Sequence, residues 1–411
     1  MRTGILAAGL AAAWLSATAV AAAPPDYPAL FEKVWSTVDE NFYDPGFHGV
    51  DWKAVGARYR ARLVSVRDDK GFDALVSAML KEIGTSHIYI VPPQGSSASG
   101  AGIGVRFQEI EGQQVVWQVA PLSDAAVRVG DRLVSPRAAL VGEIGSQAKA
   151  RFEDCSGRAR GVTAHRIGAF WPPQHPAFEW SATKLGEGRR IGYLRIDRFD
   201  DGAAGLADRA MAELHDTSAL IIDIRANTGG NASAVRLLSY FSGPAAPNFA
   251  LFARPYLAQL GRAVTRADVL NAAKVSGAYT DEGVFAAVSA HQGAATFWSE
   301  DVGPKRYAGP VVVLIGGDTG SAAEGFAWGM RALPQVKFVG RATAGALLSA
   351  QDFDLPGGWT LTIPVQGVWG PDGADYRDRA VAPDIAVAWT RADICVGRDP
   401  DIAAALAVLK P

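Results

Sequence analysis

Cysteine is scarce: Cys155 and Cys395 are the only two in 411 residues, too few for a thiolate cluster that could hold zinc. The six histidines include no pair at metal-ligand spacing with a neighbouring glutamate, and no glycine-rich loop runs into Lys-Ser or Lys-Thr. Neither a metal nor a nucleotide cofactor is implied. Charge of one sign is missing too. The 40 basic and 42 acidic residues leave a formal net charge of -2 and are mixed along the chain, so no broad field would draw in nucleic acid or an anionic membrane. Beyond the amino-terminal stretch no apolar run approaches the ~20 residues that a spanning helix needs, and no segment repeats. With 49% hydrophobic residues, the chain can bury a sizeable core over two or three domains.

Residues 1–22 read as a secretory signal: Arg2 supplies a positive start, Ile5 to Val20 a short apolar run, and Ala19-Val20-Ala21 a small-residue cleavage site. The run is short for a membrane anchor, the alternative reading, and no cysteine near the cleavage site could carry a lipid. These features predict an exported mature protein, periplasmic or secreted, with no integral membrane segment. An oxidising compartment would permit Cys155 and Cys395 to pair.

Three amphipathic helices are expected in an amino-terminal helical domain over 24–94. Leu30, Phe31, Val34, Trp35, Val38 and Phe42 recur at helical spacing before Asp44-Pro45 breaks the run. A second helix starts at Asp51, and a third carries Phe72, Leu75, Met79, Leu80 and Ile83. Gly84 suits a left-handed cap, so His87 falls at a junction between that helix and a strand, Ile88 to Val91. Pro92-Pro93 and the small polar run Gly95 to Gly100 read as a linker. Short alternating strands follow, over 98–170. Gly102-Ile103-Gly104-Val105 and Val129-Gly130-Asp131-Arg132-Leu133 resemble parts of a PDZ domain, in which such a loop and the adjoining strand edge receive a peptide terminus; a plain β-rich spacer is the other reading.

From 175 to 411 strands alternate with helices, which argues for an α/β layer domain. Ile191 to Ile196, Ala219 to Ile224 and Val311 to Ile315 are its buried strands, with a helix around Leu206 to Leu214 and a helical insertion at about 247–300. The strand Val311 to Ile315 runs through Gly316-Gly317-Asp318-Thr319-Gly320 into Ser321, which opens a helix. On position alone Ser321 reads first as a helix cap.

Three segments in order point elsewhere. Gly317-Asp318-Thr319-Gly320-Ser321-Ala322-Ala323-Glu324 resembles the nucleophile segment of the carboxyl-terminal-processing serine peptidases. Gly192-Tyr193-Leu194-Arg195-Ile196 with Phe199, and Leu220 through Gly230, are similar to two further segments of the same family. Phe42-Tyr43-Asp44-Pro45, Asp51-Trp52 and Ser86-His87 resemble the amino-terminal part of its tricorn-core branch. The resemblance implies a crotonase-like (ClpP-like) ββα superhelix core of class α/β, with Ser321 as nucleophile. It also implies an oxyanion hole from Ala322 and Gly229 or Gly230, although glycines there would serve a tight turn as well.

The general base follows from a difference between the family's branches. Where one branch carries lysine, Gly340-Arg341-Ala342-Thr343-Ala344-Gly345 is followed by Ala346, so a serine–lysine dyad at that position is excluded. The tricorn-core branch implies His87 as base, with Ser86 relaying to a glutamate ahead of Ala380-Val381-Ala382-Pro383-Asp384. Arg377 stands at the glutamate position, and Asp378, or else Asp375, is the nearby carboxylate that could serve. Glu324 reads as mainly structural. The resemblance implies an exported endopeptidase that cuts near the carboxyl terminus of unfolded or tagged polypeptides through an acyl-enzyme. Two alternatives stay open: a non-catalytic peptide-binding protein, and an esterase, though Ser321 lacks a Gly-x-Ser-x-Gly elbow.

Overall fold

The computed structural model describes residues 26–93, 102–168, 175–185 and 189–410. The leader over residues 1–22 and the run Gly95 to Gly100 lie outside the described residues. No helix among those described is long and apolar enough to cross a membrane.

Two sheets build the α/β part. In the first, the strands run in the order 385–386, 336–340, 311–315, 219–223, 189–196 and 178–185, all pairs parallel except the last. Ala219–Asp223 and Val311–Ile315 are buried at every residue, as strands covered on both faces must be. Helices Ala203–Leu214, Ala234–Ser242 and Ala322–Arg331 cover one face, where Met211, Leu237, Phe326 and Met330 pack on Leu194, Ile222, Val313 and Phe338. Helix Pro400–Val408 covers the other, setting Ala405 against Ile221, Val312 and Leu314.

The second sheet corrects the domain boundaries expected from sequence. Its order is 89–91, 359–369, 247–253, 294–298 and 273–275, with 349–355 paired to the other side of 359–369. Residues 247–300 are thus not a helical insertion: helices 254–260, 266–271 and 281–290 alternate with three strands of this sheet. The apolar runs there are too short for their period to separate strand from helix. The amino-terminal helices are not a free-standing domain either. Tyr27–Asn41, Trp52–Arg62 and Asp69–Lys81 begin at caps where Asp26, Asp51 and Asp68 accept backbone N–H bonds. Their buried faces, with Phe31, Val34, Phe72 and Met79, share one core with Phe252, Trp359, Leu361 and Ile363 of the second sheet.

The third sheet is antiparallel, in the order 105–110, 113–119, 132–133, 147–153 and 159–165. Between Gly102 and Gly168 the described residues contain no α-helix, only the 3-10 turn Arg137–Leu140. A carboxyl-terminal segment returns to strap this sheet to the core. Cys395 is disulfide-bonded to Cys155, closing a loop of sequence separation 240, and Arg391 pairs with Glu153 at 2.7 Å while Trp389 packs edge-on against Trp117.

Candidate active site

Ser321 sits where the buried strand Val311–Ile315 turns into helix Ala322–Arg331, with φ 51° and ψ -125°, a conformation costly for any residue with a Cβ. Holding such a backbone costs about 1–3 kcal/mol, so the surroundings must over-determine it. They do so through two neighbours. Thr319, fully buried, donates its hydroxyl to the carbonyl of Ile224 at 2.9 Å and accepts from Gly316 N–H at 3.0 Å. Glu324, also fully buried, accepts from Thr343 Oγ1 (2.6 Å), Gly345 N–H (2.7 Å), Ala346 N–H (2.7 Å) and Ser321 N–H (3.2 Å). Among the described residues the carboxylate forms no salt bridge; it pins the loop after strand Val336–Gly340 to the turn that carries the serine.

The glycine loop lies against this turn. Gly320 N–H donates to the carbonyl of Asn227 at 3.0 Å, joining the two loops. A Cβ on Gly229, at φ 124°, would fall 2.6 Å from Ser321 Cβ, and one on Gly230, at φ 133°, would fall on the carbonyl oxygen of Phe199. Both positions therefore need glycine for close approach as well as for backbone angle. Their N–H groups differ. That of Gly229 is taken by Asn227 Oδ1 at 2.9 Å. Among the described residues no acceptor meets the N–H of Gly230 or of Ala322, and both residues line the cavity beside Ser321. Two unpaired donors next to a serine hydroxyl are the arrangement that an oxyanion requires.

His87 comes from the far side of the sequence, at the junction after helix Asp69–Lys81, held at φ 58° just before strand Tyr89–Val91. Its Nε2 lies 3.3 Å from Ser321 Oγ and its Nδ1 lies 3.0 Å from Ser86 Oγ. For Nε2 to accept the serine proton, Nδ1 must carry its own hydrogen and donate it to Ser86, which fixes the useful tautomer. Burial lowers the pKa of His87 below the usual histidine value, so the ring favours its neutral form.

Past Ser86 the chain of polar contacts stops. Among the described residues the Ser86 hydroxyl meets only His87. Asp378 and Asp375 are not brought to it: each stands 3.3 Å from the Arg377 guanidinium, and the Asp378 side chain is 57% exposed. Arg377 also donates to the Tyr43 hydroxyl at 3.5 Å, which meets His48 Nε2 at 2.9 Å. A guanidinium where the resemblance expects glutamate draws both carboxylates to itself, and among the described residues no carboxylate meets Ser86.

Ser321, His87, Gly230 and Ala322 open onto a cavity of about 340 Å³. Its walls are mainly apolar, and one buried polar side chain there, Asn248, is not singled out by the sequence: it opens an apolar strand with no motif around it. Gly329 on the nucleophile helix gives it room, since a Cβ there would fall 2.6 Å from Asn248 Oδ1. Among the described residues no group of three or more histidine, cysteine or carboxylate side chains is placed to hold a metal ion.

Comparison with known proteins identifies the fold. Residues 190–387 match Peptidase family S41, and residues 24–81 match the Tricorn protease C1 domain. A Streptomyces coelicolor protein named as a tricorn protease homolog is 25% identical over 403 residues, which are 87% of this chain but 30% of that protein. The chloroplastic C-terminal processing peptidase of Tetradesmus obliquus is 24% identical over 392 residues, 87% of this chain and 76% of that one. The chain thus spans less than a third of the tricorn-type relative and about three-quarters of the processing peptidase. Among solved structures, the photosystem II D1 C-terminal processing protease superposes with a TM-score of 0.53 at 19% identity, covering 88% of this chain and 93% of that one. The shared fold is the ClpP-like α/β core. Residues 190–387 are thus an S41-type peptidase segment, with a tricorn-type C1 segment ahead of it.

Proposed function

We propose that this protein is an exported serine endopeptidase that hydrolyses polypeptides through an acyl-enzyme on Ser321. The observation that carries this reading is the 3.3 Å approach of His87 Nε2 to Ser321 Oγ across 234 positions of sequence, at the mouth of a cavity. His87, kept neutral by burial, takes the proton as Ser321 Oγ attacks the scissile carbonyl. The carbonyl oxygen gathers charge between the N–H groups of Gly230 and Ala322. The imidazolium then gives its proton to the leaving amine, and a water activated by the same histidine releases the acyl group. Ser86 orients the ring from Nδ1. Asp378, held on Arg377, has no part in this scheme.

Export is supported by the leader-like residues 1–22 and by the Cys155–Cys395 disulfide, since such bonds persist in oxidising compartments. The names of the relatives support a cut near the carboxyl terminus of the substrate; unfolded or tagged polypeptides are the substrate class we propose, with the third sheet as a PDZ-like module.

The test is digestion of an unfolded protein such as casein by the mature chain and by Ser321→Ala, with fragments followed by mass spectrometry. Fragments formed by the first and absent with the second are expected. Casein left intact by both, together with no labelling of Ser321 by a serine-directed phosphonate, overturns the reading and leaves peptide binding as the function. Labelling with ester turnover but no peptide turnover makes the protein an esterase.

A further inference from the structure

The cavity beside Ser321 has a composition that restricts what can enter it. Val235, Leu238, Phe249, Leu251, Phe326 and Val368 form apolar wall. No lysine or arginine lines it, and its acidic side chains are Asp281 and Asp352. One group is out of place in this lining. Asn248 is 7% exposed and faces the cavity, and among the described residues its side-chain amide is not one of the sealed-off polar groups: it is open to what fills the pocket. A ligand packed against this amide strips it of water, which costs free energy unless the ligand supplies a hydrogen bond in return.

The position of Asn248 sets the length of that ligand. Its Oδ1 lies against Gly329, eight residues along helix Ala322–Arg331 from Ser321, or about 12 Å at the helical rise. A side chain that starts at the carbon next to the attacked carbonyl and runs down the cavity must be long to reach it. It must also be apolar along its stem. Its tip must hydrogen-bond to an amide, which carries no charge to pair with a buried ion, so a neutral polar tip suits Asn248 best.

We propose that this cavity is the primary specificity pocket for the residue on the acyl side of the cut, and that Asn248 selects a long side chain with an apolar stem and a neutral polar tip, with tyrosine fitting best. The proposal rests on Ser321 being the nucleophile. The amide of Asn248 bonds the phenol hydroxyl, while phenylalanine fills the same walls and leaves the amide bare.

Binding tests this without turnover. Two peptides of one sequence, ending in tyrosine or phenylalanine, are titrated calorimetrically into the Ser321→Ala protein and into Ser321→Ala/Asn248→Leu. The tyrosine peptide is expected to bind about tenfold more tightly or better to the first, the size that an unsatisfied buried polar group implies, and the ratio is expected to fall to one or below in the second. Equal affinities in the first protein, an unchanged ratio in the second, or no binding of either peptide overturns the proposal. The comparison on the intact pocket needs no Asn248 variant, so misfolding of that variant does not shelter the idea. Casein cleavage without a tyrosine preference retains the peptidase and removes the pocket's role; a tyrosine preference without cleavage does the reverse.

Discussion

Glu324 and His87 both bear on Ser321, yet what stands behind each of them is different. The oxygens of Glu324 accept four donors, three of them backbone N–H groups of fixed loops, in a fully buried setting. His87 also has both nitrogens engaged, but behind it stands the hydroxyl of Ser86, which has no further partner among the described residues. The serine is thus locked in a strained backbone by a saturated carboxylate, while the base is oriented by a relay that ends after one hydroxyl. In the proposed mechanism rigidity falls on the nucleophile, and the imidazolium formed during attack would be stabilised by a dipole where a serine triad has a charge.

The largest effect should come from breaking the rigid side. Glu324→Ala would leave four buried donors without an acceptor, and we expect a loss of about 3 kcal/mol or more of stability, read as a large fall in thermal midpoint, with hydrolysis lost as well. Glu324→Gln, which keeps the shape and one acceptor, should recover part of both. A Glu324→Ala protein with an unchanged midpoint would show that the loops hold Ser321 unaided. Ser86→Ala is the matching cut on the other side. Its midpoint should stay within about 0.5 kcal/mol of the parent, while kcat falls about tenfold to a hundredfold, less than the ~10²–10⁴ that a general base supplies. Equal losses in the two variants would erase the contrast.

Much of this centre is legible in sequence, and the illegible parts have physical reasons. Ser321 and His87 stand in motifs, and Ala346 excludes the lysine alternative. The choice between Gly229 and Gly230 as oxyanion donor is not, because it turns on the Asn227 side chain folding back to occupy one N–H. The fate of Asp378 depends on the reach of Arg377 across a loop, which no spacing reveals. Short runs such as Phe249–Phe252 and Ala294–Phe297 are strands because they pair with each other, the first also against strand Trp359–Trp369, so the second sheet escapes a reading by period.

A smaller effect follows from the protonation of His87. With His87 as the proposed base, catalysis needs the neutral ring, and burial lowers its pKa, so the acid limb of kcat/KM should lie below about 6.5, the usual histidine value. The same shift enters stability. Between the folded and unfolded pKa values the unfolded chain binds the extra proton, so stability falls as pH drops through that window. His87→Gln should remove that part of the slope when midpoints are compared at pH 7 and pH 5. An acid limb above the usual histidine value would mean that a carboxylate reaches the relay in the working enzyme.

Asp378→Asn should do least. Its carboxylate is more than half exposed and shares one guanidinium with Asp375, and an exposed pair of this kind contributes about 0–1 kcal/mol. The midpoint should hardly move, and kcat and KM should stay within about twofold of the parent. This small change is also the sharpest probe of the unbuttressed base. A fall of a hundredfold in kcat, with the acid limb displaced, would place Asp378 behind Ser86 during turnover, through a rearrangement of the 375–378 loop that releases it from Arg377. Near-parental kinetics, measured beside a damaged Ser86→Ala variant, would make Ser86 the last member of the relay and leave the oxyanion donors at Gly230 and Ala322 to supply the larger share of transition-state stabilisation.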